Sequence, residues 1–158
     1  MSVFAKATEA PEPKSQDVKR IAVFYALLLL IFALAQLFTF DKLLVLIGEF
    51  GLPGGAGTAY LIGSLLVVSE VFALPFLLRM PLSPLFRWFS MFLSLLAAGL
   101  WIFLTTWLVL TDSLVVTVGF LGTLVNVMPG WWAVLVSVAL GILAVWASWG
   151  MWPATRKK

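Results

Sequence analysis

The chain has 158 residues, of which 63% are hydrophobic and only 11% are charged, and its mean hydropathy is +1.11. A soluble domain of this length has too little interior to bury so much apolar surface, so the composition indicates a membrane protein. The net charge is +3, but the basic residues lie near the chain ends and in one connection. No nucleic-acid partner is therefore expected. The absence of Cys and His excludes disulfides, Cys/His zinc sites and His-ligated haem, and no metal site is expected.

The chain begins with a polar segment. Residues 1–17 contain no long apolar core ahead of a cleavage site, so we expect a disordered cytoplasmic tail and not a cleaved signal peptide. Four apolar segments follow that, as helices, are long enough to cross about 30 Å of hydrocarbon. Within a transmembrane domain of residues 18–152, the predicted spans are residues 21–40, 58–78, 88–110 and 131–149, and residues 153–158 form a basic cytoplasmic tail.

Two connections need separate interpretation. The segment DKLLVLIGEFGLPGGAG contains Asp41, Lys42 and Glu49 before a Pro-Gly-Gly turn, which predicts an interfacial amphipathic helix followed by a loop. This segment either forms a lid over a lateral cavity or simply connects two spans. Residues 111–132 are apolar enough to suggest a fifth span, but Gly, Asn and Pro interrupt them. We predict an interfacial or re-entrant loop on the outer face.

The distribution of basic residues predicts the orientation. With four spans, nearly all of them fall on one side, which the positive-inside rule assigns to the cytoplasm. Both termini are therefore predicted to be cytoplasmic in a multi-pass protein of the inner (plasma) membrane. The determinants are Lys14, Lys19 and Arg20 before the first span, Arg79 and Arg87 after the second, and Arg156, Lys157 and Lys158 at the end.

Tryptophans mark both membrane boundaries in this layout, as is typical of membrane proteins. Trp107, Trp131 and Trp132 fall at the outer boundary, and Trp88, Trp149 and Trp152 at the inner one. Each span also carries one face of small or polar residues, which predicts a compact all-α four-transmembrane-helix bundle. These faces are Ala22, Ala26, Ala33 and Gln36; Ala59, Gly63 and Glu70; Ser90, Ser94, Ala97 and Thr105; and Ser137, Gly141, Ala144 and Ser148.

Glu70, within the apolar stretch SLLVVSEVFALPFLL, is the main candidate functional residue. Counting the helical rise places it within roughly 3 Å of the membrane midplane. The same count places Ser94 and Tyr25 within about one helical turn of that depth, and Gln36 too far toward the outside. No Lys or Arg falls in a hydrophobic span. We therefore expect Glu70 to be a protonated acid that hydrogen-bonds to Ser94, to a backbone carbonyl or to a bound ring.

Alternatives remain open for each of these residues. Glu70 is a ligand for a quinone headgroup, a step in a proton path, or a polar group that fixes helix pairing. Trp101 stacks on a ring-shaped ligand or fills the bundle core. Pro75 opens a kink beside the acid or shapes packing only. Arg79 and Arg87 bind lipid phosphate or a partner, or act only as topology determinants.

The segments FALAQLFTFDKLLVLIGEFGLP, AYLIGSLLVVSEVFALPFLL and RMPLSPLFR resemble the DoxX and MauE-like four-helix membrane proteins. The distinctive residues are Lys42, Leu52 with Pro53, and Glu70, in that order, and the resemblance covers roughly residues 20–110. It implies a small subunit or accessory protein near membrane redox chemistry. That chemistry is quinone-linked sulfur oxidation in the DoxX branch and maturation of a periplasmic dehydrogenase in the MauE branch. The chain lacks the Gly that commonly follows the Glu-containing half-helix.

Three functions are compatible with these features. The first is a non-enzymatic subunit or accessory factor of a quinone-linked redox system, with a quinone or lipid near Glu70 and a membrane or periplasmic protein, or a second copy, as partner. The second is a structural or assembly protein without a ligand. The third is a small transporter or proton conduit. An independent enzyme is least expected, because no nucleophile–base pair or phosphate loop is found.

Overall fold

The computed structural model describes residues 7–152, so the predictions for residues 1–6 and 153–158, including Arg156, Lys157 and Lys158, lie outside the described residues. The described chain folds into five helices, which are α1 (Gln16–Phe38), α2 (Phe40–Glu49), α3 (Gly55–Leu77), α4 (Pro84–Leu110) and α5 (Trp131–Met151). Four of them, α1, α3, α4 and α5, are long and apolar enough to cross a membrane. The prediction of an all-α bundle with four spans is confirmed.

The four long helices form a closed ring in which α1 contacts α3, α3 contacts α4, α4 contacts α5, and α5 contacts α1. Successive long helices run antiparallel, so α1 begins where α5 ends. At this termini end, the Lys14 N–H donates to the Gly150 carbonyl at 3.0 Å. Almost all of the predicted small or polar face residues are buried; Gly141 is the half-buried exception. Large apolar side chains such as Leu61 and Trp149 face outward, as expected for contact with lipid.

Local capping, more than hydropathy, determines where α1 and α4 begin. The Ser15 hydroxyl accepts a hydrogen bond from Val18 N at 3.3 Å, so α1 begins five residues before the predicted span. Ser83 caps α4 in the same way, and Pro84 follows it at the first helical position. Both helices therefore begin before the apolar segment that hydropathy detects.

The short helix α2 packs across α3 near the opposite, loop end of the bundle. It is amphipathic: Leu43 and Ile47 are buried, whereas Asp41 and Lys42 are exposed. The close approach depends on Gly63 in α3, where a Cβ would lie 2.7 Å from Leu44 Cδ2. The predicted amphipathic helix is confirmed, and it covers the Gly63 part of the small-residue face.

Residues 111–130 form a non-helical loop that folds back into the bundle and not a fifth span. Leu114 is 98% exposed, whereas Val118 and Phe120 are only 1% and 4% exposed. The loop packs tightly on the end of α1 at Gly122, which has φ +58° and at which a Cβ would lie 2.9 Å from Ala35 O. A side chain at this position would be strained and would clash. The prediction of a loop and not a fifth span is confirmed, and because its central part folds back into the bundle we call residues 111–130 the re-entrant loop.

The segment of residues 7–15 differs from the expected disordered tail, because it docks on the turn between α3 and α4. Thr8 and Leu82 exchange two backbone hydrogen bonds, at 3.1 and 3.3 Å. The Arg87 guanidinium donates to Thr8 O at 2.9 Å, and that of Arg79 donates to Pro11 O at 3.3 Å. The two arginines that the sequence marked as topology determinants thus also hold the N-terminal segment.

Ser90 of α4 forms hydrogen bonds with backbone groups of α3 on both sides of Pro75. Proline lacks an N–H and disturbs the helical hydrogen bonds around it. The Ser90 hydroxyl donates to Phe72 O and accepts from Phe76 N at 3.1 Å, so it bridges a donor and an acceptor of the disturbed turn. Pro75 is therefore accommodated by the packing of α4 on α3.

Candidate functional site

Among the described residues, Glu70 is the only acidic side chain that is buried, and its exposure is 0%. It lies on α3 at the turn before Pro75 and faces the bundle interior, as predicted. Burying an unpaired charge or an unbonded polar group is costly, so its hydrogen-bond partners determine what the site can do.

Two N–H donors from neighbouring helices converge on one oxygen of Glu70. Trp101 Nε1 on α4 donates to Glu70 Oε1 at 2.8 Å, and Gln36 Nε2 on α1 donates to the same oxygen at 3.3 Å. Gln36 Nε2 also donates to Phe120 O at 3.2 Å. These contacts join α1, α3, α4 and the re-entrant loop, and we call Gln36, Glu70, Trp101 and Phe120 the Glu70 cluster.

The prediction that Gln36 lies too far from Glu70 was wrong. Counting the rise compares Cα positions, but helical side chains lean toward the N-terminus of their own helix. Because α1 and α3 are antiparallel, Gln36 leans toward the termini end and Glu70 toward the loop end. The two long side chains therefore approach one another and close the separation between their backbones.

Aromatic rings close the loop side of the Glu70 cluster. The Phe120 ring lies 4.5 Å from the Trp101 ring and stacks on Phe32, with 5.6 Å between centroids. Phe32 meets Trp101 edge to face at 6.3 Å. Sequence reasoning missed Phe120, because a loop has no helical periodicity to place its side chains. The only available signal was its position in the segment predicted to be an interfacial or re-entrant loop.

Two buried oxygens of the Glu70 cluster have no hydrogen-bond partner among the described residues. They are Glu70 Oε2 and Gln36 Oε1. A buried acceptor without a partner is uncommon and costs roughly 1–3 kcal/mol. The cluster therefore retains hydrogen-bonding capacity that its own side chains do not use.

Tyr25 and Ser94 form a second polar contact, apart from Glu70. Tyr25 Oη donates to Ser94 O at 2.8 Å, and the Ser94 hydroxyl donates to Met91 O at 2.8 Å. The Ser94 and Ser148 hydroxyls lie 3.4 Å apart. In the described part of the chain, no hydrogen bond connects this group to Glu70. Of the predicted site residues, the structure brings together Glu70 and Trp101, whereas Tyr25 and Ser94 join α1, α4 and α5.

The tryptophans predicted at the boundaries lie mostly on the outer surface of the bundle. Trp107 is the exception, since it is half-buried and donates to Phe50 O at 2.9 Å, which ties α4 to the end of α2. The exposed ones are Trp88, Trp131, Trp132, Trp149 and Trp152.

In comparisons with known proteins, no family model matches the chain, and no curated protein or solved structure matches it either.

The geometry defines the chemistry open to the Glu70 cluster. A single carboxyl group can hold one proton and can donate or accept hydrogen bonds, but general acid–base catalysis needs positioned groups in contact with a substrate. The partners of Glu70 in the described structure are an indole and a carboxamide, neither of which titrates near neutral pH. The cluster is thus suited to polar recognition or to helix pairing.

Proposed function

We propose that the protein is a non-enzymatic integral subunit or accessory factor of a quinone-linked redox system in the inner membrane, with the quinone headgroup bound at the Glu70 cluster. The resemblance of Lys42, Leu52 with Pro53, and Glu70 to the DoxX and MauE-like proteins supports this assignment. The observation that carries it is Oε2 of the fully buried Glu70, which has no hydrogen-bond partner among residues 7–152 and lies beside Trp101 and Phe120.

The proposed mode of binding uses groups already in place. In its neutral form Glu70 carries a hydrogen on one oxygen, and with Oε1 accepting two bonds, Oε2 is the oxygen free to donate it to a quinone carbonyl. The flat, conjugated ring of a quinone is also a suitable stacking partner for Trp101. The Phe120 ring now lies against the Trp101 ring, tilted by 46° with 4.5 Å between centroids, so a quinone ring stacked on Trp101 would replace it. Binding therefore requires a shift of the loop.

Quinone content tests this proposal. Wild-type protein solubilised in mild detergent should co-purify with a quinone extractable into organic solvent, at a substantial fraction of one per chain. Glu70→Leu should lower that fraction at least fivefold, because the donor is lost. Glu49→Gln, which neutralises an exposed acid on α2, is the matched control and should leave it unchanged. Wild-type protein free of quinone and of any co-purifying oxidoreductase would contradict the proposal.

A second candidate, a structural or assembly protein without a ligand, is favoured by the complete burial of Glu70 behind Phe120. Here the Glu70 cluster only fixes α1, α3, α4 and the loop relative to one another. In that case Glu70→Gln leaves every cellular phenotype intact, and purified protein contains no quinone. The quinone measurement and the phenotype of Glu70→Gln together distinguish the two functions.

A further inference from the structure

A groove of about 740 Å³ runs along the outward face of α5, away from the Glu70 cluster. Its lining includes the two glycines Gly141 and Gly150, and Val145 lies between them. Val145 and Trp149 are 57% and 72% exposed, so the groove opens toward the membrane. Its lining is apolar except at the termini end, where Lys14 lies.

Neighbouring helices border both ends of the groove. Ile102 of α4 lies against Gly141, at which a Cβ would be 3.0 Å from Ile102 Cδ1. At the other end Val18 of α1 packs directly on Gly150. Because Gly141 has no side chain, the surface of α5 is recessed there beside Ile102, whereas at Gly150 the side chain of Val18 fills the space. This recess distinguishes the groove from an ordinary lipid-facing helix surface.

The length of the groove matches one leaflet. From Val138 to Gly150, the two ends of its lining on α5, the helix rises about 18 Å. The hydrocarbon core of a bilayer is about 30 Å thick, so one leaflet accounts for about 15 Å. The groove thus spans the leaflet at the termini end and ends where lipid headgroups lie.

Lys14, at the termini end of the groove, is positioned to bind an anionic group. Lys14 Nζ lies 5.3 Å from the centroid of the Trp149 ring, a cation–π contact at the mouth of the groove. Lys14 makes no ion pair with any described residue, since the one salt bridge found in residues 7–152 joins Asp17 and Arg20. An exposed ammonium at a membrane boundary attracts the phosphate of an anionic lipid.

We propose that this groove binds an anionic phospholipid of the leaflet at the termini end, with one acyl chain between Gly141 and Gly150 and the headgroup phosphate at Lys14. A second helix is a poorer occupant, because membrane helices associate through continuous small-residue faces. Here the large side chains of Val145 and Trp149 lie between the two glycines and interrupt any small-residue face on which a second helix could pack. This site is independent of the quinone proposed at Glu70.

Native mass spectrometry of the full-length protein tests the site, with equimolar phosphatidylglycerol and phosphatidylcholine added to the detergent. The wild type should retain phosphatidylglycerol about fivefold more than phosphatidylcholine, the effect of one juxtamembrane cation. Lys14→Gln should abolish this preference. Lys19→Gln, an exposed cation that does not line the groove, should keep it.

Filling the groove gives a second, separate readout. Val145→Trp should lower retention of both lipids about fivefold or more, whereas Leu135→Trp, on the same helix and 70% exposed but outside the groove, should not. Both positions are exposed, so neither change disturbs the core. Equal retention by these two variants would mean unspecific annular lipid and would overturn the proposal. The proposal would also be overturned if the wild type retained both lipids equally, or if Lys19→Gln lost the preference for phosphatidylglycerol as fully as Lys14→Gln. A dimer that Val145→Trp dissociates would overturn it too, because the groove would then bind a second copy of the chain.

Discussion

Glu70 receives two hydrogen bonds at one oxygen and none from the described residues at the other. The donors, Trp101 Nε1 and Gln36 Nε2, are themselves buried. Removal of the Glu70 oxygen would therefore leave buried N–H groups without an acceptor. Each buried donor left without a partner costs roughly 1–3 kcal/mol. The stability of the site should therefore depend on an acceptor oxygen at position 70 and not on a charge there.

Two substitutions at position 70 separate these requirements. Glu70→Gln keeps a carbonyl oxygen for both donors, and we expect it to change the free energy of unfolding by less than about 1 kcal/mol. Glu70→Leu removes the acceptor and should cost about 2–4 kcal/mol, because the Trp101 N–H and one of the two Gln36 amide N–H groups lose their partner. Unfolding in mixed micelles with increasing sodium dodecyl sulfate measures both. A Glu70→Gln protein as unstable as Glu70→Leu would indicate that the carboxylate charge is required.

Part of this site could be predicted at the residue scale. Glu70 was recognisable as an acid on a small-residue face, and Trp101 as an aromatic near the middle of its helix. Gln36 was excluded because the lean of two long side chains on antiparallel helices is not visible in a count of helical rise. The same count suggested Ser94 as a partner, but its hydroxyl bonds to Met91 O.

At the scale of elements, the re-entrant loop closes the bundle beside the Glu70 cluster. Phe120 contributes its ring to Trp101 and Phe32 and its carbonyl oxygen to Gln36. Thr123 N also donates to Thr39 Oγ1 at 3.2 Å, at the end of α1. Glycine and proline could predict that this segment is not a helix. Which of its side chains enters the core could not be predicted, because that depends on tertiary contacts only.

The re-entrant loop should be buried at its centre and exposed at its start. Since the chain has no cysteine, maleimide labelling of a single cysteine substitution reports the accessibility of that position alone. Leu114→Cys should react rapidly with a maleimide, and Val118→Cys should react at least tenfold more slowly, because Val118 is 1% exposed. Adding Phe120→Ala to the Val118→Cys protein should accelerate its labelling. Equal labelling of positions 114 and 118 would argue against the re-entrant packing.

Close packing of α1 on α5 makes a second prediction at this scale. Gly150→Leu places a side chain where Val18 lies, so we expect a loss of about 2 kcal/mol or more. Gly99→Leu is the matched control, because a Cβ at Gly99 meets nothing within 4 Å. A leucine there should be neutral or slightly stabilising, since glycine weakens a helix. Detergent unfolding curves compare them, and equal losses would contradict the packing described for Gly150.

At the scale of the whole molecule, four spans place the start of α1 and the end of α5 on one side and the loop of residues 111–130 on the other. Composition and charge could predict this layout because lipid tolerates few alternatives to complete helices. The docking of residues 7–15 by Arg79 and Arg87 could not be predicted, since basic residues next to spans already had a role in topology.

The positive-inside rule assigns the termini end to the cytoplasm, and labelling of intact cells checks this. An impermeant maleimide should modify Leu114→Cys in whole cells. It should modify Met80→Cys, in the turn between α3 and α4, only after the membrane is permeabilised. Both side chains are exposed, so a difference reports sidedness and not burial. The reverse pattern would invert the proposed orientation.

The Glu70–Trp101 hydrogen bond, at 2.8 Å, joins α3 to α4 inside the bundle. A double-mutant cycle of Glu70→Leu and Trp101→Phe measures it directly, with Trp88→Phe, on the outer surface, replacing Trp101→Phe in the control cycle. We predict a coupling free energy of about 1–2 kcal/mol for Glu70 with Trp101 and about zero with Trp88. If the effects of the Glu70 and Trp101 substitutions add within about 0.5 kcal/mol, this hydrogen bond does not stabilise the packing of α3 on α4.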